Sequence, residues 1–283
     1  MKIALCFYGM GPLKCLKNAS KNINKDIPKN FWLKNVIEPN NTDVFIHCWS
    51  PEIEEDYVET FKPKKHIFEK PKVFLKGGGR YDYGATRREV WQSVHYSIKQ
   101  VNLLKQKYEE ENSFKYDLVM IARFDIVWLK PIDISIFDPK FIHGSPWNYA
   151  DDVNSYRKHF NNIQLIKEKD KHKHDNDTEP FNDLKWMMDH FFIMGSELSD
   201  IFSDLYTHID KYIHWQTSEI MKYYYCHDKD IFKLYKRDAF KRFHDHVLFR
   251  YLYLDEKLIN PSPTDELRGW YERRNEIFKE LDL

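Results

Sequence analysis

The sequence has no excess of either charge. Its 283 residues carry 44 Lys and Arg against 44 Asp and Glu. Such a balance offers no electrostatic footprint for nucleic acid or for an anionic membrane. Short basic runs such as Lys62-Pro63-Lys64-Lys65 read as solvated surface. Paired cysteines are also missing. Cys6, Cys15, Cys48 and Cys226 are scattered, with no C-x-x-C spacing. This argues against a disulfide scaffold and sets the expectation of a reduced, cytoplasmic protein. No run approaches the ~20 apolar residues of a membrane-spanning helix. The apolar part of "MKIALCFYG" is too short for a signal peptide. Glycine is scarce, and four of the nine fall at 77, 78, 79 and 84. No G-K-[ST] follows them, which excludes a P-loop and leaves a flexible lid as the reading. There is no internal repeat.

Core-forming residues are abundant, at 42% hydrophobic and 16% aromatic. That suffices for one large domain or two small ones. "KIALCFYG" (2–9) reads as a buried strand running into Gly9, Gly11 and Pro12, where glycine permits positive φ and close backbone approach. Residues 13–37 read as mostly helical. "DVFIHCWS" (43–50) is a second buried strand, and "KKHIFEKP" (64–71) a short third nearer an edge. Thr86-x-x-Glu89 is a capping-box signature for a long helix. Val90, Val94, Ile98, Val101 and Leu104 mark its buried stripe, with Arg88, Gln92 and Tyr96 on another face. "YDLVMIARFDIVWLKPID" (116–133) and "FIHGSPW" (141–147) supply further strands. Such alternation predicts an α/β fold with a mainly parallel sheet covered by helices on both faces.

Residues 150–180 are nearly all polar or charged and predict a solvated loop. The remainder reads as helical. One helix follows Ser196, one follows Ser218, one carries Val247, Leu248, Tyr251 and Leu252, and an amphipathic one closes the chain.

The strand ending in Arg123-Phe124-Asp125 is the informative feature. An apolar strand ending in D-x-D holds a divalent cation, which neutralises a departing nucleoside diphosphate. Here Arg123 replaces the first Asp. Its guanidinium is able to take part of that work by bidentate contact with phosphate, or to pair with a core carboxylate.

The segments "MKIALCFYGMG", "PNNTDVFIHCWS", "VWQSVHYSIKQVNLL", "YDLVMIARFDIVWLKPIDI" and "DHFFIMGSELSDIF", in this order, resemble a group of GT-A-fold glycosyltransferases found in bacterial polysaccharide loci and large DNA viruses. The resemblance spans roughly residues 1–210. It implies one glycosyltransferase domain over 1–283, with a nucleotide-sugar-binding half (1–150) and a mostly helical acceptor-side half (151–283). It also implies transfer of a sugar from a nucleotide-sugar donor to a hydroxyl of a glycan or glycoprotein acceptor. Asp125 would stand where the last Asp of D-x-D stands. Mn or Mg is the implied cofactor, and the loss of the first Asp leaves a metal-free donor site open as well.

Roles follow from position. Tyr8, Gly9 and Gly11 would border the base and ribose, or form an ordinary strand-to-helix turn. Arg88 and Gln92, near a helix start, would reach the phosphates, or lie on the surface. Arg123 and Asp125 complete the donor set. Asp189 precedes an apolar strand and is the expected general base, with Glu219 and Asp245 as rivals. His246 is the expected late histidine on the metal, with His190 beside it as a further candidate. His172, His174 and Asp175 could chelate on paper, yet they sit in a low-complexity stretch. Trp49, Trp147 and Trp186 could stack on sugar rings, or pack in the core. Two other readings stay open: a nucleotidyltransferase making a sugar nucleotide, and a non-catalytic sugar-binding protein with a degenerate site.

Overall fold

Every side chain from Ile3 to Tyr8 is buried, as a strand flanked on both edges and both faces must be. This strand, β1 (Ile3–Gly9), is an interior strand of a seven-stranded sheet in a computed structural model. The structure describes residues 1–11, 14–15, 18–22, 26–74, 83–124, 126–128, 130–144, 190–212, 218–236 and 247–248. Of these, 14–15, 18–22, 26–27, 83–88, 127, 218–220, 223 and 247–248 are described by backbone alone. All belong to one compact unit, Met1–Ser145 with Trp186–Tyr253.

After β1 comes a small hairpin, β2 (Lys14–Cys15) and β3 (Asn18–Asn22). Helix α1 (Asp26–Trp32) follows, then a π-helical turn Leu33–Ile37 and α2 (Glu38–Asn40). The mostly helical expectation for 13–37 thus holds only from Asp26. The stretch before it is rich in Asn, Ser and Lys and thin in apolar residues. Asn and Ser side chains compete with the backbone for hydrogen bonds and weaken a helix. Next are β4 (Asp43–Cys48), α3 (Glu54–Phe61), β5 (Lys65–Phe68) and the long α4 (Tyr83–Glu111). The chain continues through β6 (Leu118–Arg123), β7 (Val127–Trp128), β8 (Ile142–Gly144) and β9 (Phe191–Met194). It goes on through α5 (Ser196–Ser203), α6 (Ile209–Tyr212), α7 (Ser218–Asp228), β10 (Tyr235–Lys236) and β11 (Val247–Leu248).

The large sheet runs β10-β8-β9-β6-β1-β4-β5. β1 pairs in parallel with β4 and β6, β4 with β5, and β8 with β10. β9 runs against both of its neighbours, β6 and β8. The class is therefore α/β with a mixed sheet, parallel through its centre. β5 lies at the edge, where its sequence placed it. β11 pairs with β7, so Val247 and Leu248 form a strand where a helix was expected. A two-residue apolar pair has no period to separate the two.

Alternation along β1 divides the core. Ile3, Leu5 and Phe7 join Trp32, Val36, Tyr57 and Phe61 on one face. Ala4, Cys6 and Tyr8 join Ile98, Val101 and Phe202 on the other. Helix α4, roughly 43 Å long at 1.5 Å per residue, lies on the second face against β1, β4 and β5. Ile98 and Val101 of its expected stripe are buried, and Val94 and Leu104 pack partly against the core. Val90 is 53% exposed. Its place near the sheet is taken by polar residues: Gln92, His95, Ser97, Asn102, Lys105 and Glu109 are all buried. Cys6, Cys48 and Cys226 are buried free thiols, and burial pushes the Cys6 thiol up to about 12. They behave as small core hydrophobes. Among the described residues no helix is long and apolar enough to cross a membrane.

Candidate functional site

Open α/β sheets bind ligands beyond the carboxyl ends of their strands, where the strand order reverses. Here the chain adds β4 and β5 on one side of β1 and then returns to place β6 on the other. The reversal falls between β1 and β6. Across it Tyr8 pairs with Arg123, and on the opposite edge Gly9 pairs with Cys48. Gly9, the His47–Trp49 segment and Arg123 therefore meet at one sheet edge, as their positions in the sequence predicted.

Gly9 has φ +102°, and among the described residues nothing lies within 4 Å of where a Cβ would sit. That backbone is costly for any residue with a side chain. Gly11 is constrained differently. A Cβ there would fall 2.2 Å from Ile53 Cδ1, so this glycine serves close packing. Both carbonyl and amide of Gly9 are held. Its C=O accepts from Trp49 N–H at 3.0 Å, and its N–H donates to Ser97 Oγ at 2.9 Å.

Ser97 opens a buried polar relay. Its Oγ lies 2.7 Å from His47 Nδ1, and His47 Nε2 lies 3.1 Å from Glu69 Oε1. Glu69 in turn bridges to Lys72 at 2.8 Å, and Lys72 also donates to the Tyr96 hydroxyl. An ionised carboxylate only accepts, so Nε2 carries the imidazole hydrogen and Nδ1 accepts from Ser97. Burial holds His47 neutral, its pKa lowered to about 4 against the opposing pull of Glu69. Burial would raise Glu69, but hydrogen bonds from Lys72 and His47 leave its carboxyl below the ordinary range. Serine, histidine and glutamate stand in line as in a nucleophilic triad. Ser97, however, is fully buried and its oxygen is occupied by the Gly9 amide, so it holds backbone rather than attacking a substrate.

Trp49 covers the relay. Its ring lies edge-on to His47, with centroids 4.8 Å apart, and stacks on Tyr96 at 5.4 Å. Phe74 and Tyr206 close the aromatic patch around Tyr96. Trp49 was expected as a sugar platform; its indole is buried.

Arg123 is half-buried at the end of β6, and its amide donates to His190 O at 3.1 Å. Phe124 is its anchor. The ring is buried and stacks on Phe7 at 4.9 Å, while the Phe124 carbonyl accepts from Trp32 Nε1 at 3.4 Å. The first residue of β9, Phe191, pairs with Ala122, so β9 starts at the same edge. His190 is buried there.

The remaining expected residues divide. Tyr8 is buried on the α4 side of the sheet, and Gln92 is buried on α4. Asp125, Asp189, Asp245, His246, His172, His174, Asp175, Trp147 and Trp186 lie outside the described residues, as do the glycines at 77–79 and the 150–180 stretch. So do the side chains of Arg88 and Glu219 and the closing helix. Among the described residues no group of three His, Cys, Asp or Glu side chains could hold a metal ion. Ser97, Glu69 and Lys72 were not anticipated. The one signal was a histidine inside an otherwise apolar strand, which must find buried partners.

A second polar cluster occupies the other end of α4. Lys105, fully buried, contacts Asp200 at 2.8 Å and Glu109 at 3.2 Å. Lys115 adds contacts to both carboxylates, and Ser196 donates to Glu109 at 2.6 Å. Burial raises Asp200, but the Lys105 charge together with hydrogen bonds from Lys105, Gln106 and Asn102 outweighs it and holds that carboxyl low. Tyr116 N–H donates to Glu109 at 2.9 Å, which puts this cluster at the amino end of β6, away from Gly9 and Arg123.

The chain matches no family model and no curated protein.

Proposed function

We propose that the protein is a glycosyltransferase that moves a sugar from a nucleotide-sugar donor to a hydroxyl of a glycan acceptor. The observation that carries this reading is the meeting of Gly9 and Arg123 at the strand-order reversal, with no described residue in the space a Gly9 side chain would take. A nucleoside fits against a strand-end glycine turn, and a half-buried guanidinium beside it suits a diphosphate. The reaction breaks the bond from anomeric carbon to phosphate oxygen. It forms a bond from that carbon to the acceptor oxygen, whose proton passes to a carboxylate.

In this reading Arg123 takes part of the leaving diphosphate's charge and Asp189 receives the acceptor proton. Asp125 and His246 belong to the proposal as the holders of a divalent cation, Mn or Mg, which would supply charge neutralisation at the phosphates. The test is a donor-hydrolysis screen with UDP-, GDP- and dTDP-sugars, with and without Mn²⁺, on wild type and Asp125→Asn. Release of nucleoside diphosphate from one donor, lost in the variant, is expected. Binding without turnover would move the reading to a non-catalytic sugar-nucleotide binder. No binding of any donor would end it.

A further inference from the structure

We propose that Ser97 is a positioning residue for a nucleoside diphosphate, acting through the Gly9–Gly11 turn it holds from beneath. The inference rests on the donor-site reading and specifies which part of the fold sets the turn. Two amides of the turn are consumed internally. Gly9 N–H goes to Ser97 Oγ at 2.9 Å and Gly11 N–H to Ser50 Oγ at 3.3 Å. The Gly9 carbonyl is taken by Trp49 N–H. Met10 is 51% exposed, and its amide makes no hydrogen bond to a described residue. The turn thus carries one N–H with no partner among the described residues, directed away from Trp49 because the C=O and N–H of a trans peptide point opposite ways. A backbone donor of this kind suits an acceptor oxygen of a ribose or base.

That N–H belongs to the Gly9–Met10 peptide, whose carbonyl Trp49 N–H holds. Ser97 holds the preceding Tyr8–Gly9 peptide through the Gly9 amide, so the two bonds together fix both planes that flank Gly9, the residue with the freest dihedrals. The serine is itself fixed. Its hydrogen is directed to His47 Nδ1, so a lone pair is left for the Gly9 amide. Glu69, anchored by Lys72, sets the imidazole hydrogen on the far nitrogen. A chain of hydrogen bonds with one consistent direction runs from a half-exposed ion pair to the turn. Groups that must bind a ligand gain from such a supporting shell because the ligand need not order them.

The probes are UDP, GDP and dTDP, each with Mn²⁺, titrated calorimetrically into wild type, Ser97→Ala, Ser97→Thr and Ser199→Ala. Ser199 is an equally buried serine in the distant Lys105 cluster, so its variant reports loss of structure without loss of the turn. For the nucleotide that wild type binds, Ser97→Ala is expected to weaken affinity at least about tenfold, the cost of one misplaced good hydrogen bond. Ser97→Thr, which keeps the hydroxyl, should recover most of it, and Ser199→Ala should bind as wild type does. Hydrogen exchange at the Gly9 amide should quicken in Ser97→Ala alone. If Ser97→Ala fails to fold, Glu69→Gln, at the half-buried end of the relay, should still weaken binding by about threefold.

Wild-type affinity in Ser97→Ala, or in Glu69→Gln where that variant stands in, would overturn the inference and leave the glycosyltransferase reading standing. Equal losses in Ser97→Ala and Ser199→Ala would also overturn it, as general destabilisation. Wild type binding none of the three nucleotides would overturn the reading itself, and this inference with it.

Discussion

Helix α4 carries a polar cluster at each end, and the two are built on opposite plans. At the amino edge of the sheet, Lys105 meets Glu109 and Asp200 with no solvent around it, and Lys115 and Ser196 complete the set. Charge answers charge there, and the cluster closes on itself. At the carboxyl edge the buried members are neutral. His47 and Ser97 pass a directed hydrogen bond inward, and the chain ends on the backbone of Gly9. One arrangement joins α4 to α5 and the start of β6. The other ends at the Gly9 turn, beyond the carboxyl end of β1. Buried polar groups on a single helix thus serve stability at one end and geometry at the other.

The sharpest way to break this contrast is at Lys105. Lys105→Met leaves Glu109 buried with Lys115 as its one charged partner among the described residues. Removing one member of a buried pair typically costs about 3–5 kcal/mol. Urea unfolding should show a loss of that size with nucleotide binding unchanged in the folded fraction. A loss under about 1 kcal/mol would mean the amino-edge cluster behaves like a surface pair.

Acid should act on the other end. His47 takes up its proton near 4 in the folded protein, because it is buried, against an ordinary value of 6.5. Between those values the unfolded chain binds a proton that the folded one refuses. Stability therefore falls as pH drops from about 6.5 toward 4 and levels off below, by on the order of 3 kcal/mol. Glu69, whose carboxyl is also held low by Lys72 and His47 despite burial, adds to the loss in the same direction. Unfolding measured at pH 7, 5.5 and 4.5 should fall less steeply for His47→Asn than for wild type. Parallel curves would remove His47 as the titrating group.

The smallest effect belongs to Lys72. Its side chain is 44% exposed where it meets Glu69, and exposed ion pairs contribute about 0–1 kcal/mol. Lys72→Met should move the unfolding midpoint little. A loss as large as that of Lys105→Met would show that both clusters depend on charge, and the contrast would fail.

The layout of the sheet was legible in the sequence wherever burial was two-sided. "KIALCFYG", "DVFIHCWS" and "LVMIAR" are near-continuous apolar runs, and all three became adjacent central strands. Their carboxyl ends could be named as the ligand edge because a parallel sheet leaves no other choice. The antiparallel direction of β9 was not legible, since "FFIM" carries no sign of which way it runs. The hairpin at 14–22 was missed because propensity there is weak in every direction. On α4 the apolar stripe was read correctly at Ile98 and Val101 and misjudged at Val90. Hydrophobic period locates a buried face only while the buried residues are apolar, and half of this face is polar. Ser97 was invisible for that reason: a lone serine in a helix looks the same whether it meets water or a histidine.

The direction of β9 has an outcome of its own. Because β9 runs against β8, the chain departs from the sheet at Gly144 and rejoins it at His190 along the same rim. Both attachment points sit beside the crevice, and neither interrupts a strand pairing. An insertion at that rim, between Gly144 and His190, would leave the β1–β4 and β1–β6 pairings that frame Gly9 unbroken.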